Sequence, residues 1–256
     1  MKVLPAERHQ KMVELINQRG SMRVSELSQI FEVTEETIRR DLDKLEAEGK
    51  IRRSHGGAVR IYDEAPEISY LEREGTQVQE KRKIAKEAQK LVQPGDRIIL
   101  DASSTAWYLA TILPDVPLTV LTNSARVAIE LAGRERVEVI LIGGILRPRS
   151  LSFVGPMAER FLEYYHVNKA FLSCKAVHPE HGVTEGNELQ ALVKRKMIEI
   201  ADEVYILADH SKFGLRDFTH LVDLARVTAI ITDDAADAEV CRELKARGVK
   251  VIQASG

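Results

Sequence analysis

Three hydroxyls stand in a row at Ser103-Ser104-Thr105, two residues after the carboxylate of Asp101, and the helix-forming run Ala106-Trp107-Tyr108-Leu109 follows at once. Free N–H groups at a helix start, joined by hydroxyl donors, can cradle a phosphate. Polar strings of the same kind recur after apolar runs at Thr122-Asn123-Ser124, Gly143-Gly144 and Asp209-His210-Ser211-Lys212. Each has a plainer reading. Ser103, Ser104 and Ser124 are good N-caps, Gly143-Gly144 makes an ordinary turn, and Asp209 with Lys212 makes a surface ion pair. Recurrence in equivalent places favours binding over capping alone.

A second set of residues suits a different ligand. Thr34, Glu35, Thr37, Arg39, Arg40 and Lys44 lie along one stretch, and Arg52, Arg53 and His55 follow in a second. Arginines can take phosphates or guanine edges, threonines a phosphate or a thymine methyl, and basic residues on a hairpin the DNA backbone or minor groove. A lone Arg-Arg pair on a helix is more often a solvated pair bound to nearby acids such as Glu35, Glu36 or Asp43. The elements around it decide.

Those elements are legible. Ile38, Leu42 and Leu45 fall at i, i+4 and i+7, so one helix face can be buried with Thr34 as its N-cap and the polar set outside. Before it, Met12, Val13, Leu15 and Ile16 form the stripe of a helix that starts after Pro5 and stops at Gly20. A second short helix follows with Ser25 as N-cap and Leu27, Ile30 and Phe31 inward. After Gly49, residues 51–60 read as two strands around the Gly56-Gly57 turn. Helix, turn, helix and basic hairpin together make a winged helix-turn-helix, a unit that docks on double-stranded DNA.

Residues 61–79 are polar and acid-rich and read as a linker, so the small domain is expected over 1–60 and the large one over 80–256. In the large domain strands are predicted at 97–101, 118–122, 137–142, 169–173, 204–209, 227–232 and 250–252, with helices between most of them. Near-continuous apolar strands alternating with amphipathic helices specify a doubly wound, mostly parallel α/β sheet. In such sheets ligands bind beyond the carboxyl ends of the strands, where the polar strings lie.

Composition limits the rest. A chain of 256 residues with net charge −2 is no globally basic nucleic-acid binder, so DNA affinity must come from a local patch. Cys174 and Cys241 have neither zinc nor redox spacing and read as reduced core thiols. No apolar stretch has membrane-spanning length and the start lacks a signal-peptide apolar run, giving the expectation of a cytoplasmic protein without membrane partners.

The run Val33-Thr34-Glu35-Glu36-Thr37-Ile38-Arg39-Arg40-Asp41-Leu42, with Leu45, Gly49 and Arg53-Ser54-His55-Gly56-Gly57-Ala58, resembles the signature of the DeoR family of bacterial sugar-responsive repressors. Asp101 to Thr105, Thr122-Asn123-Ser124, Gly143-Gly144, Gly155 and Asp209-x-Ser211-Lys212-Phe213-Gly214 resemble that family's effector domain, whose fold is similar to ribose-5-phosphate isomerase. The resemblance implies that Ser103, Ser104 and Thr105 hold a phosphate and that Lys81, Asp209 and Lys212 read or transmit its binding. The full effector set expected is Lys81, Asp101, Ser103, Ser104, Thr105, Asn123, Ser124, Gly143, Gly144, Lys175, Asp209 and Lys212. Ser103 departs from the glycine common there, and Ser173-Cys174-Lys175 replaces a glycine-rich segment. The strings Asp101 to Ala110 and Phe171 to Cys174 look similar to members linked to L-rhamnose or L-fucose use.

The expected function is therefore a DNA-binding repressor of a carbohydrate operon, released by a phosphorylated sugar, without cofactor or metal, and acting as a homodimer or homotetramer on paired half-sites. An activator would use the same parts. The rival is a sugar-phosphate isomerase or hydrolase with Asp101, Glu185, Glu188 and Asp209 as acid/base groups and Lys175 or Lys212 as electrophile. No nucleophile elbow, metal motif or dinucleotide fingerprint accompanies them.

Overall fold

The computed structural model describes residues 5–19, 21–48, 50–54, 56–60 and 68–254. The chain divides into two compact units, Met1–Ala65 and Pro66–Gly256.

The small unit runs α1 (Pro5–Arg19), β1 (Ser21–Arg23), α2 (Val24–Phe31), α3 (Glu35–Ala47), β2 (Ile51–Ser54) and β3 (Gly57–Arg60). The three strands form an antiparallel sheet in the order β1-β3-β2. Met12, Ile16, Leu27, Ile38, Leu42, Leu45 and Ile51 close its core, as the helical spacing predicts. Each such aliphatic side chain contributes about 1.5–3 kcal/mol on leaving water. Two local expectations are corrected. Helix α2 starts one residue before Ser25, with Arg23 as N-cap, because the Glu26 carboxylate accepts the Arg23 N–H at 2.9 Å. Gly57 is part of β3 rather than of the wing turn, since it already pairs with Ser54 and Arg23. A Cβ on Gly57 would stand 2.3 Å from the Met22 carbonyl oxygen, so only glycine lets these strands approach.

The large unit begins with α4 (Tyr70–Gly75) and α5 (Val78–Gln89). Part of the stretch read as linker is thus helical: Ser69 caps α4, and Tyr70 is 1% exposed. The remainder, 61–67, lies outside the described residues. Then come β4 (Arg97–Leu100), α6 (Ser104–Ile112), β5 (Leu118–Thr122), α7 (Ala125–Leu131) and β6 (Val137–Leu141). They are followed by a hairpin of β7 (Ile145–Arg147) and β8 (Ser152–Val154), α8 (Pro156–Leu162) and β9 (Val167–Ser173). The last third holds β10 (Ala176–His178), β11 (Gly182–Glu185), α9 (Glu188–Glu199), β12 (Ala201–Leu207), β13 (Thr219–Val222), β14 (Ala229–Asp233), α10 (Ala238–Ala246) and β15 (Lys250–Ala254).

Seven of these strands make a parallel sheet in the order β15-β14-β12-β9-β4-β5-β6. Alternate residues feed its two faces. Ile98, Leu100, Val120, Phe171 and Tyr205 pack with α5, α6 and α7. Ile99, Leu121, Leu172, Val204 and Ile206 pack with α8, α9 and α10. The doubly wound α/β architecture follows from this two-sided burial. Missing from the sequence reading are the β7–β8 hairpin and the small antiparallel sheet β10-β11-β13. Cys174 and Cys241 are buried free thiols, and burial pushes the Cys174 thiol up to about 12.

Candidate functional site

The small unit displays α3 through its outer face. Thr34 caps the helix by accepting the Thr37 N–H at 3.3 Å, and the two hydroxyls lie 2.9 Å apart. Arg39 pairs with Glu35 at 2.7 Å, and Arg40 with Glu36 at 3.3 Å, while the Arg40 side chain stays 79% exposed. Exposed pairs at this spacing contribute little, so both guanidiniums can exchange a carboxylate for a phosphate or base edge. Lys44 is exposed on the same helix.

Arg53 is engaged within the unit. Its Nε lies 3.1 Å from Asp43, its Nη1 donates to the Gly57 carbonyl at 3.2 Å, and its backbone N–H donates to Glu46 at 2.7 Å. It buttresses the wing against α3. Arg52 sits on β2, and His55 lies outside the described residues. A buried anchor was missed. Asp41 takes Arg8 Nε at 2.7 Å and His9 Nε2 at 2.8 Å, locking α1 to α3. Burial would raise the Asp41 carboxyl, but these two partners outweigh it and hold it below its ordinary value.

In the large unit β4 has β5 on one side and β9 on the other, so chain order reverses there, the place where doubly wound sheets bind ligands beyond their strand ends. Asp101 fills that point. Its Oδ1 accepts the Ser103 hydroxyl at 2.5 Å and the Ser103 N–H at 3.2 Å, while its Oδ2 accepts the Ser173 N–H at 3.0 Å. The Ser103 oxygen also caps α6 by accepting the Ala106 N–H at 3.0 Å. Ser103 thus links Asp101 to the start of α6, which Ser104 and Thr105 open.

A cluster of opposite charges surrounds this point. Lys194 Nζ lies 3.0 Å from Asp101, 2.5 Å from Glu185 and 2.8 Å from the Ser173 carbonyl. Burial disfavours its charge, but Glu185 and Asp101 outweigh burial and raise its pKa. Lys212 Nζ donates to the Ser173 hydroxyl at 2.7 Å and stands 3.8 Å from Asp209. Burial pushes the Asp209 carboxyl up, yet Lys212, the Ser211 hydrogen bond and Lys81 bring it below its ordinary value. Lys81 is 5% exposed and held by the Arg73 and Thr76 carbonyls. Burial first, then the like charge of Lys212, lowers Lys81 to about 8.

Other expected members divide. Asn123 is buried, donating to the Phe153 carbonyl at 3.0 Å, while its Oδ1 has no partner among the described residues. Ser124 is an N-cap for α7, accepting the Val127 N–H at 3.2 Å. Gly144 has φ +143°, and a Cβ there would meet the Val154 carbonyl at 2.7 Å, so its glycine serves the backbone; Gly143 is open. Lys175 is exposed beside Cys174, at the end of β9. Lys194 is the principal residue missed. Its signal was a lysine in α9 among the inward positions Ala191, Val193 and Met197.

Comparison with known proteins fits this geometry. Residues 8–64 match the DeoR-like helix-turn-helix domain and residues 76–234 the DeoR C terminal sensor domain. An uncharacterized HTH-type transcriptional regulator, YulB of Bacillus subtilis, is 57% identical over 97% of this chain and 96% of its own length. The L-fucose operon activator of Haemophilus influenzae is 37% identical over 88% of this chain and 91% of its own. The HTH-type transcriptional repressor GlcR of B. subtilis is 36% identical over 96% and 95%. Among solved structures, ribose 5-phosphate isomerase A of Methanocaldococcus jannaschii overlaps 52% of this chain and 53% of its own at 22% identity, with a TM-score of 0.39. The relatives are regulators rather than enzymes, and the chain is a DNA-binding regulator that belongs to the DeoR family.

Proposed function

We propose that this regulator represses a carbohydrate catabolic operon and is released from its operator by a phosphorylated sugar bound at the β4–β9 switch point. The observation that carries the reading is the convergence of Lys81, Lys212 and Asp209 with the Ser104–Thr105 start of α6, where Asp101 and Lys194 fix the strand ends. Lysine charge and helix N–H groups take the phosphate, and the carboxylates accept sugar hydroxyls. The ligand shifts DNA affinity only through its differential affinity for two states of the protein. A homodimer or homotetramer in the cytoplasm, with no membrane partner, places recognition helices on paired half-sites. Among the described residues no helix is long and apolar enough to cross a membrane. The activator title of the fucose-operon relative and the string similarity at Asp101–Ala110 favour 6-deoxyketose 1-phosphates as the first ligands to try.

The test is a thermal-shift screen with phosphorylated sugars, L-fuculose and L-rhamnulose 1-phosphates included, followed by gel-shift release and in vitro transcription. A ligand that binds the folded state raises apparent stability. Stabilisation with operator release and derepression is expected; no response to any phosphorylated sugar overturns the effector, and ligand-dependent stimulation overturns repression.

A further inference from the structure

Helix α4 carries a group of buried donors that the sensor cluster does not use. Tyr70 is 1% exposed. The guanidinium carbons of Arg73 and Arg126 lie 5.7 and 5.9 Å from its ring centroid, and Arg126 also lies 4.9 Å from that of Trp107. Arg73 Nε and Nη2 and Arg126 Nε are buried without a hydrogen-bond partner among the described residues, and Tyr70 Oη has the Arg126 guanidinium beside it. The nearby carboxylate, Glu74, is taken by Arg126 Nη2 at 3.1 Å. Two guanidiniums against one carboxylate leave a local excess of positive charge. Burial, then Glu74, raises the Tyr70 phenol beyond its ordinary value despite both arginines, so it keeps its proton and remains a donor. Buried polar groups are almost always paired, and three unpartnered guanidinium nitrogens beside one phenol suit an acceptor-rich partner.

We propose that Tyr70, Arg73 and Arg126 form the arginine side of the effector's phosphate site, whose other side is Lys81, Lys212 and the start of α6. This rests on the effector-binding reading of the large unit. The subsite adjoins the sensor cluster through Arg73, whose carbonyl accepts Lys81 Nζ and, at 3.3 Å, the Ser104 hydroxyl. The guanidinium fork matches two oxygens of one phosphate, and the phenol donates to a third.

The test is calorimetric titration of the full chain with inorganic phosphate, for the wild type and for Arg73→Gln, Arg73→Lys and Arg126→Gln, with melting curves to confirm folding. Wild-type binding is expected, weakened roughly tenfold or more in both glutamine variants and less in Arg73→Lys, which keeps charge without the fork. Absence of phosphate binding by the wild type, or wild-type affinity in both folded glutamine variants, overturns the subsite. If Arg73→Gln does not fold, phenylglyoxal modification of wild-type Arg73 decides: protection by phosphate supports the subsite and equal modification overturns it. Operator release separates the two proposals. Arginine-dependent phosphate binding without release by any phosphorylated sugar removes the effector reading alone. Release with unchanged phosphate affinity in the folded glutamine variants removes the subsite alone.

Discussion

Lys194 Nζ lies 3.0 Å from Asp101 Oδ2, and through this pair a helix on one face of the sheet fastens the carboxyl end of β4. Asp101 in turn accepts the Ser173 N–H at 3.0 Å, so β4 and β9 are clamped where their order reverses. Both charges are buried, Asp101 fully and Lys194 with 8% of its side chain exposed. Removing one partner leaves an uncompensated charge in a low-dielectric interior. Lys194→Met is expected to cost about 3–5 kcal/mol in urea unfolding. A loss under about 1 kcal/mol would place the pair among solvent-screened contacts.

On the small unit, Arg39 and Arg40 have exposed side chains paired only with neighbouring glutamates. Replacing both with alanine is expected to leave stability within about 0.5 kcal/mol. Operator affinity should fall by about 1–3 kcal/mol per arginine that reads a base, with a shallower salt dependence for each lost phosphate contact. Fluorescence anisotropy at two salt concentrations checks this. Unchanged affinity in the double variant would mean that α3 is not the reading helix.

The wing depends on a close backbone approach at Gly57, where a Cβ would stand 2.3 Å from the Met22 carbonyl. Gly57→Ala forces β1 and β3 apart and is expected to destabilise the unit by about 1–3 kcal/mol. Gly143→Ala is the control, with nothing within 4 Å of the added carbon; it should change stability by under about 0.5 kcal/mol. Thermal melting of the two variants gives the comparison.

Lys81 ties the effector response to pH. Burial and Lys212 lower its pKa to about 8, so its charge, and with it attraction for phosphate, disappears as pH rises through that value. Effector affinity should fall by up to about tenfold for each pH unit above it. The stability change has the opposite sign. The unfolded lysine binds its proton more tightly than the folded one, so this group's contribution rises with pH above about 8. Lys81→Met should flatten the pH dependence of effector affinity; an unchanged profile in that variant assigns it to another group.

The helix-turn-helix was readable because its information is local: Ile38, Leu42 and Leu45 mark the buried face, and Thr34 marks the start. The parallel sheet was readable because its strands are short apolar runs separated by periodic helices. Lys194 was not, since Asp101, Ser173 and Glu185 reach it only through sheet order and helix placement. Arg53 shows the same limit. Its contact with Asp43 on the preceding helix depends on how β2 packs against α3, which the local sequence does not state. Helix α4 escaped notice because six residues are too few to establish a hydrophobic period.

A phosphate bound at the β4–α6 junction is proposed to control DNA affinity. The most direct measurement is operator affinity by fluorescence anisotropy, on a duplex selected from a random library, with and without a phosphorylated sugar found by thermal shift. A weakening of about tenfold or more is expected at saturating ligand, in the usual range of allosteric coupling, with its loss in the Lys81→Met variant. Operator affinity unchanged by every stabilising phosphorylated sugar would contradict it.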